Sequence, residues 1–284
     1  MQLYSALDGP IPDDGNDDYN SEIKLPGTGP TSDSVAPADI IGEDDRRVFF
    51  DYRAPWHLVG YLEYDDGRNA TGVLIGKKLV LTCYHCIQFS EEKTLADFHF
   101  VPGKYSDPPK GNLEEPFGRF KVKNAYWYGD DRPDEDTSGT FHALDFAVLE
   151  LDRETGLGSA ACVPLLDHLA ENETWKTIGY PAKDLHKLPN LQKGRPVYQK
   201  GIKVSKVDNH SYKDAGGDLF RVKKLVADAD IEQGQSGSPL FRVVHGNIVL
   251  SGLLSGESEV RTVGPAYDLW MSRLIDWTRK NVDR

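Results

Sequence analysis

Short apolar runs ending on glycine, proline or polar turns recur along this chain and restrict it to a fold built from many brief strands. Residues 58–64, 98–101, 120–128, 146–151, 175–180, 200–207, 219–226, 239–244 and 248–254 each read as a strand, and 73–82 reads as two strands around the turn Gly76-Lys77-Lys78. Only 271–280 carries a convincing helical period, with Met271, Leu274, Ile275 and Thr278 on one face. The 27 glycines and 17 prolines suit the many turns such a fold needs, and 284 residues give room for two domains.

One turn stands apart. Gly234-Gln235-Ser236-Gly237-Ser238-Pro239 sets a serine between glycines, so the backbone can bend sharply and a substrate carbonyl can approach its amides. Such strings usually mark ordinary turns, so the functional reading depends on partners for Ser236. Two are found upstream. His85 ends the apolar run Val80-Leu81-Thr82-Cys83-Tyr84-His85-Cys86, and Asp145 opens the apolar strand Phe146-Ala147-Val148-Leu149-Glu150-Leu151. A carboxylate at the edge of a core is costly without a partner. A histidine ionises near neutrality and can take the proton from a serine hydroxyl, and an acid on its other ring nitrogen fixes the tautomer. Ser236 is therefore the candidate nucleophile, His85 the base, Asp145 the orienting acid, and the amides of Gly234 and Ser236 the oxyanion hole. The other histidines, His142 among them, show no repeated spacing and read as structural or exposed.

These strings resemble three motifs of the chymotrypsin-fold, trypsin-like serine endopeptidases, in the same order. Leu81-Thr82-Cys83-Tyr84-His85-Cys86 resembles LTAxHC, Asp145 to Leu151 resembles DxAxxxL, and Gly234 to Pro239 matches GxSGSP; the glutamyl endopeptidase branch is the most similar. Ile178-Gly179-Tyr180-Pro181 and Ile40-Ile41-Gly42 resemble, respectively, an early strand of the second barrel and the mature amino terminus. The resemblance implies an all-β fold of two antiparallel six-stranded barrels with a C-terminal α-helix packed on the second. It places His85 and Asp145 in residues 40–158 and Ser236 in residues 159–284. It also implies peptide-bond hydrolysis through an acyl-enzyme.

Specificity is where the chain departs from that branch. Its members carry a threonine five residues before the nucleophile and a histidine on the strand lining the primary pocket; here those places hold Ile231 and Leu254. Walls of that kind offer no donors for a buried carboxylate, so cleavage after Glu is not the expected main activity. Asp230, six before Ser236, admits a basic preference, and Ser255 completes the expected pocket lining. Basic and apolar preferences both stay open.

Residues 1–39 carry eight acids against Lys24 alone, with little apolar periodicity, and read as a disordered acidic segment. The resemblance at Ile40 makes this segment a propeptide, whose removal would free an amino group that helps order the site. No cofactor or metal is expected: the chemistry needs neither, and no HExxH, doubled CxxC or GxxxxGK[ST] string is present. The three cysteines cannot all pair within the chain, and free buried thiols are the simplest reading. A net charge of -12 gives no basic field for nucleic acid, and no apolar run is long enough to span a membrane. Protein or peptide substrates are the expected partners; oligomeric state is open. The family resemblance implies secretion, although residues 1–12 lack a signal peptide's basic start and apolar core. The rival from another class is a catalytically silent binding or regulatory module of the same fold, with Cys83 and Tyr84 crowding His85.

Overall fold

The computed structural model describes residues 23–24, 45–48, 51–87, 98–106, 112–128, 140–165, 173–182, 194–213, 219–258 and 261–283. Apart from Ile23–Lys24, the acidic segment 1–39 and the Ile40-Ile41-Gly42 string lie outside the described residues. In chain order the strands are β1 Ile23–Lys24, β2 Arg47–Val48, β3 Val59–Tyr64, β4 Asn69–Leu74, β5 Leu79–Thr82, β6 Phe98–Pro102, β7 Tyr105–Ser106, β8 Leu113–Glu114, β9 Phe120–Tyr126 and β10 Ala147–Leu151. They continue with β11 Ala161–Cys162, β12 Trp175–Gly179, β13 Val197–Ile202, β14 Val204–Lys213, β15 Leu219–Ala227, β16 Ser238–Val244, β17 Asn247–Leu254, β18 Gly256–Ser258 and β19 Arg261–Pro265. The α-helices are α1 Thr140–Leu144 and α2 Leu269–Asn281.

The first half closes. Strands β10-β5-β4-β3-β6-β9 form a barrel by antiparallel pairing throughout. Val59, Leu62, Val73, Leu74, Leu79, Val80, Leu81, Val148 and Leu149 are completely buried, each aliphatic side chain contributing about 1.5–3 kcal/mol by leaving water. β4 and β10 are buried along their whole length, polar Asn69 and Thr71 on β4 and Glu150 on β10 included.

The second half departs from the expected closed barrel. Its strands form a seven-stranded sheet, β1-β2-β13-β12-β16-β17-β11, and a four-stranded sheet, β14-β15-β19-β18. β17 leaves the first sheet to meet the second, but there the ladder shrinks to one isolated bridge, Gly252 with Ala266, so pairing does not close the ring among the described residues. Leu165, Trp175, Ile202, Leu225, Ile231, Leu240 and Leu254 fill the space between these sheets.

Most strand expectations match to within a few residues. The run 200–207 divides instead between β13 and β14, and β19, α1 and the short strands β1, β2, β7, β8, β11 and β18 lie outside the expected runs. Helix α2 buries Met271, Leu274, Ile275 and Thr278, and the Asp268 carboxylate caps it by accepting from the amides of Trp270 and Met271 at 2.8 and 3.0 Å. The helix was expected on the second barrel, yet its C-terminal end is fastened to the first. Arg279 donates to the carbonyl of Ile75, and Asp283 accepts from the amides of Lys77 and Lys78 at the β4–β5 turn.

Candidate active site

Register decides how the barrel brings an acid to a histidine. β10 runs antiparallel to β5 with Ala147 opposite Thr82, so the chain entering β10 at Asp145 faces the chain leaving β5 toward His85. That exit is a 3-10 turn, Tyr84–Ile87. His85 then meets Asp145 twice: its amide donates to Oδ1 at 2.9 Å, and its Nδ1 lies 2.7 Å from Oδ2. Asp145 is completely buried, and Ser255 Oγ donates to the same Oδ2. With Nδ1 turned to a carboxylate, the neutral ring carries its proton there and leaves Nε2 as the acceptor.

Charge states follow from the same contacts. Burial works against ionisation of Asp145, but the His85 charge, the hydrogen bonds from His85 and Ser255 and the His85 amide together pull its pKa below the usual carboxylate range. Burial also opposes an imidazolium at His85. The neighbouring Cys86 and the Asp145 carboxylate, each also hydrogen-bonded to the ring, outweigh that and raise its pKa well above the ordinary histidine value.

Ser236 arrives from the other half, on the turn that leads into β16. Strand β4 of the barrel holds this turn: the Thr71 amide donates to Ser236 O at 2.9 Å, Thr71 Oγ1 donates to Gly234 O at 3.1 Å, and the Tyr180 amide donates to Thr71 Oγ1 at 3.0 Å. The approach is so close that position 237 must be glycine. Its φ is +86°, and a Cβ there would stand 2.2 Å from Thr71 O and 2.4 Å from Thr82 Oγ1. Gly234, at φ +94°, is equally hemmed in by Asn69, Tyr180 and Ala182. Within the turn the Gln235 amide is bonded to Glu232 O and the Gly237 amide to Leu254 O. The amides of Gly234 and Ser236 have no protein acceptor among the described residues.

The Ser236 hydroxyl points at the carbonyl of Ser255, 3.3 Å away. Among the described residues no hydrogen bond joins it to His85. His85 Nε2 instead has the Cys86 thiol 3.7 Å away, and that thiol is also 3.9 Å from Ser236 O.

Asp230, Ile231, Leu254 and Ser255, expected to line the primary pocket, are all buried. Ile231 and Leu254 are packed in the second core. The Asp230 carboxylate accepts from Gln199 Nε2 at 3.2 Å and from the Asp45 amide at 3.4 Å, which directs it to the amino-terminal segment. The Ser255 hydroxyl donates to Asp145. The pleat explains the last two assignments: successive residues point to opposite faces, so Leu254 enters the core while Ser255 crosses to the acid. His142, read as structural, has Nδ1 3.4 Å from Ser255 Oγ and lies against Gly256. It stands three positions before Asp145 in sequence, and that spacing is the only available signal.

Cys83, Cys86 and Cys162 are free thiols, as expected. The sulfur of Cys83 comes within 4.8 Å of ligand atoms of His85 and Asp145. Those two groups are hydrogen-bonded to each other, so the cluster is organised to share a proton rather than to present lone pairs to a cation.

Comparison with known proteins agrees with this architecture. Residues 70–249 match the model of the trypsin-like peptidase domain, and the chain belongs to that family. It is 28% identical to exfoliative toxin A of Staphylococcus aureus over 147 residues, which are 50% of this chain and 46% of the toxin; the chain thus spans about half the length of that relative. Among solved structures, a Glu endopeptidase in complex with MPD superposes with a TM-score of 0.64 at 19% identity, covering 85% of this chain and all of the other. The protease Anisep of Arthrobacter nicotinovorans gives 0.53 at 14%, covering 81% and 98%. A scabies mite inactivated protease paralogue gives 0.54 at 18%, covering 80% and 96%.

Proposed function

We propose that the protein is a serine endopeptidase in which Ser236 attacks the scissile carbonyl, His85 takes its proton and Asp145 holds the imidazole. The observation that carries this reading is the bond of 2.7 Å between His85 Nδ1 and a completely buried Asp145 carboxylate that also accepts from Ser255. A buried acid with this set of donors stays ionised, and its charge stabilises the imidazolium formed as Ser236 loses its proton. The Ser236 hydroxyl turns from Ser255 O toward Nε2 for the attack. The amides of Gly234 and Ser236 receive the developing oxyanion, a contribution of about 3–4 kcal/mol per donor in comparable hydrolases. His85 then protonates the leaving amine, and water repeats the sequence to release the acyl group from Ser236.

An apolar side chain is favoured at the substrate position preceding the cleaved bond. Ile231 and Leu254 supply no donor for a carboxylate, and the Asp230 carboxylate is already engaged by Gln199 and the Asp45 amide. Substrates are proteins or peptides, met outside the cell; no helix among the described residues is long and apolar enough to cross a membrane. The silent-module reading has one observation in its favour, the Ser236 hydroxyl bonded to Ser255 O instead of to His85. The fold does not discriminate, because a protein described as an inactivated protease shares it. A fluorophosphonate probe does. Covalent labelling of the parent and none of Ser236→Ala is the expected result, whereas a processed parent that stays unlabelled would establish the silent module.

A further inference from the structure

The residue before the nucleophile, Gln235, is completely buried and neutral, so a freed amino terminus would find no carboxylate at that position to pair with. The space beside it is taken by Arg46, only 1% exposed. Its Nη1 donates to Gln235 Oε1 at 2.7 Å and lies 3.3 Å from Glu232 Oε2. Gln235 Oε1 also accepts from the Glu232 amide at 3.1 Å, so one side-chain oxygen ties the guanidinium to the turn that presents the Gly234 and Ser236 amides. Strand register fixes Arg46 from the other side: Arg47 pairs with Tyr198 and Val48 with Val197 on β13, and Asp45 Oδ1 accepts from Gln199 Nε2 at 2.5 Å.

We infer that Arg46 is the internal cation that orders the oxyanion turn, and that the chain needs no cleavage near Asp39 to become competent. This rests on the peptidase reading for its catalytic consequence but not for its structural one. A buried guanidinium has to be paired, and Glu232 supplies the charge while Gln235 supplies the geometry. An α-amino group loses its proton at about pH 8, whereas a guanidinium keeps its charge well beyond that. A turn ordered by Arg46 therefore stays ordered in alkaline solution. Arg46 is a positioning residue, since it touches the turn and not the substrate.

Full-length protein with Met1 retained is compared with Arg46→Lys, Arg46→Met and the double variant Arg46→Met/Glu232→Gln, which avoids stranding a buried carboxylate if the single variant fails to fold. Hydrogen exchange read by mass spectrometry over 232–238 reports the turn without any need for activity. Protection of this segment should fall by about ten-fold or more in the double variant while β3–β5 stay protected, because only the turn loses its anchor. The intact parent should label at Ser236. Arg46→Met should lower kcat about 100-fold with KM little changed, as loss of oxyanion geometry does. Arg46→Lys should recover part of kcat at neutral pH and lose it as the ammonium deprotonates, while the parent holds its activity to about pH 10. Unchanged exchange over 232–238, or labelling that appears only after the first 39 residues are removed, overturns the inference. Loss of protection in the variants of a parent that never labels would instead retain Arg46 as the anchor and remove the peptidase reading.

Discussion

His85 follows and Asp145 precedes neighbouring strands of a closed barrel, whereas Ser236 sits on a turn between sheets that do not close. The barrel places its pair by backbone pairing: Ala147 opposite Thr82 is enough to bring the acid to the histidine. The second half places its serine by side chains reaching across long sequence separations, Thr71 to Gly234, Asn69 to Tyr180 and Arg46 to Gln235. A ladder is cooperative and tolerates the loss of one contact. A set of separate polar ties does not, since each buried group left unpaired costs about 1–3 kcal/mol.

The largest test of the barrel's contribution removes charge without removing shape. Asp145→Asn should lower kcat/KM by about 10,000-fold at neutral pH, because the amide no longer fixes the tautomer of His85 that leaves Nε2 free. The fold should survive near pH 7. Asp145 is held below its ordinary pKa, so its contribution to stability is present above about pH 4 and lost only as pH falls through the lowered value. Thermal unfolding of parent and variant across that acid range, together with kinetics at neutral pH, checks both statements; a loss of only about ten-fold would mean that the pair does not orient the base.

This contrast also governs what the sequence reveals. His85, Asp145 and Ser236 are each flanked by local strings that specify a strand end or a turn, so local reading finds them. Ser255 stands next to a strand expected to line a pocket and was assigned to that pocket; its actual partner, Asp145, lies 110 residues away and follows from the pleat and the packing of two halves. Arg46 follows the Ile40-Ile41-Gly42 string with nothing in its local sequence to mark it as buried, and the pairing of Arg47 with Tyr198 sets its place. Gln235 held the available clue, for a large amide directly before a nucleophile at a tight turn has to bury its polar end against some donor. The closed second barrel is what the family resemblance implies, and neither resemblance nor strand count determines whether β17 and β19 share a ladder or a single bridge.

An intermediate effect is expected where the two halves meet. Thr71→Val keeps the volume of the β4 side chain but removes the hydroxyl that donates to Gly234 O and accepts from the Tyr180 amide. Leaving those buried backbone groups unpaired should cost about 2 kcal/mol. The loss should appear as faster hydrogen exchange at 178–182 and 232–238, with β9 and β10 unaffected. Equal loosening of the whole barrel would show that the halves unfold together and that the contrast between ladder and separate ties fails.

The smallest effect probes the place where the halves touch without a backbone bond. Cys86 comes from the barrel, and its thiol lies 3.7 Å from His85 Nε2 and 3.9 Å from Ser236 O. Electrostatic and hydrogen-bond contacts with Cys86 are among the causes that hold the His85 pKa above its ordinary value, against the opposing effect of burial. Taking them away in Cys86→Ala should lower that pKa. Because the reaction needs the neutral imidazole, the acid limb of kcat/KM should move to lower pH, and activity on that limb should rise slightly while the plateau above it changes by about two-fold or less. Stability should move the opposite way. A raised histidine pKa stabilises the fold most below about pH 6.5, and this contribution disappears as pH rises through the folded value, so the variant should lose stability chiefly in acid. An acid limb that moves upward in Cys86→Ala would show that the thiol stabilises neutral His85, and the order of the two halves' contributions would then have to be reversed at this contact.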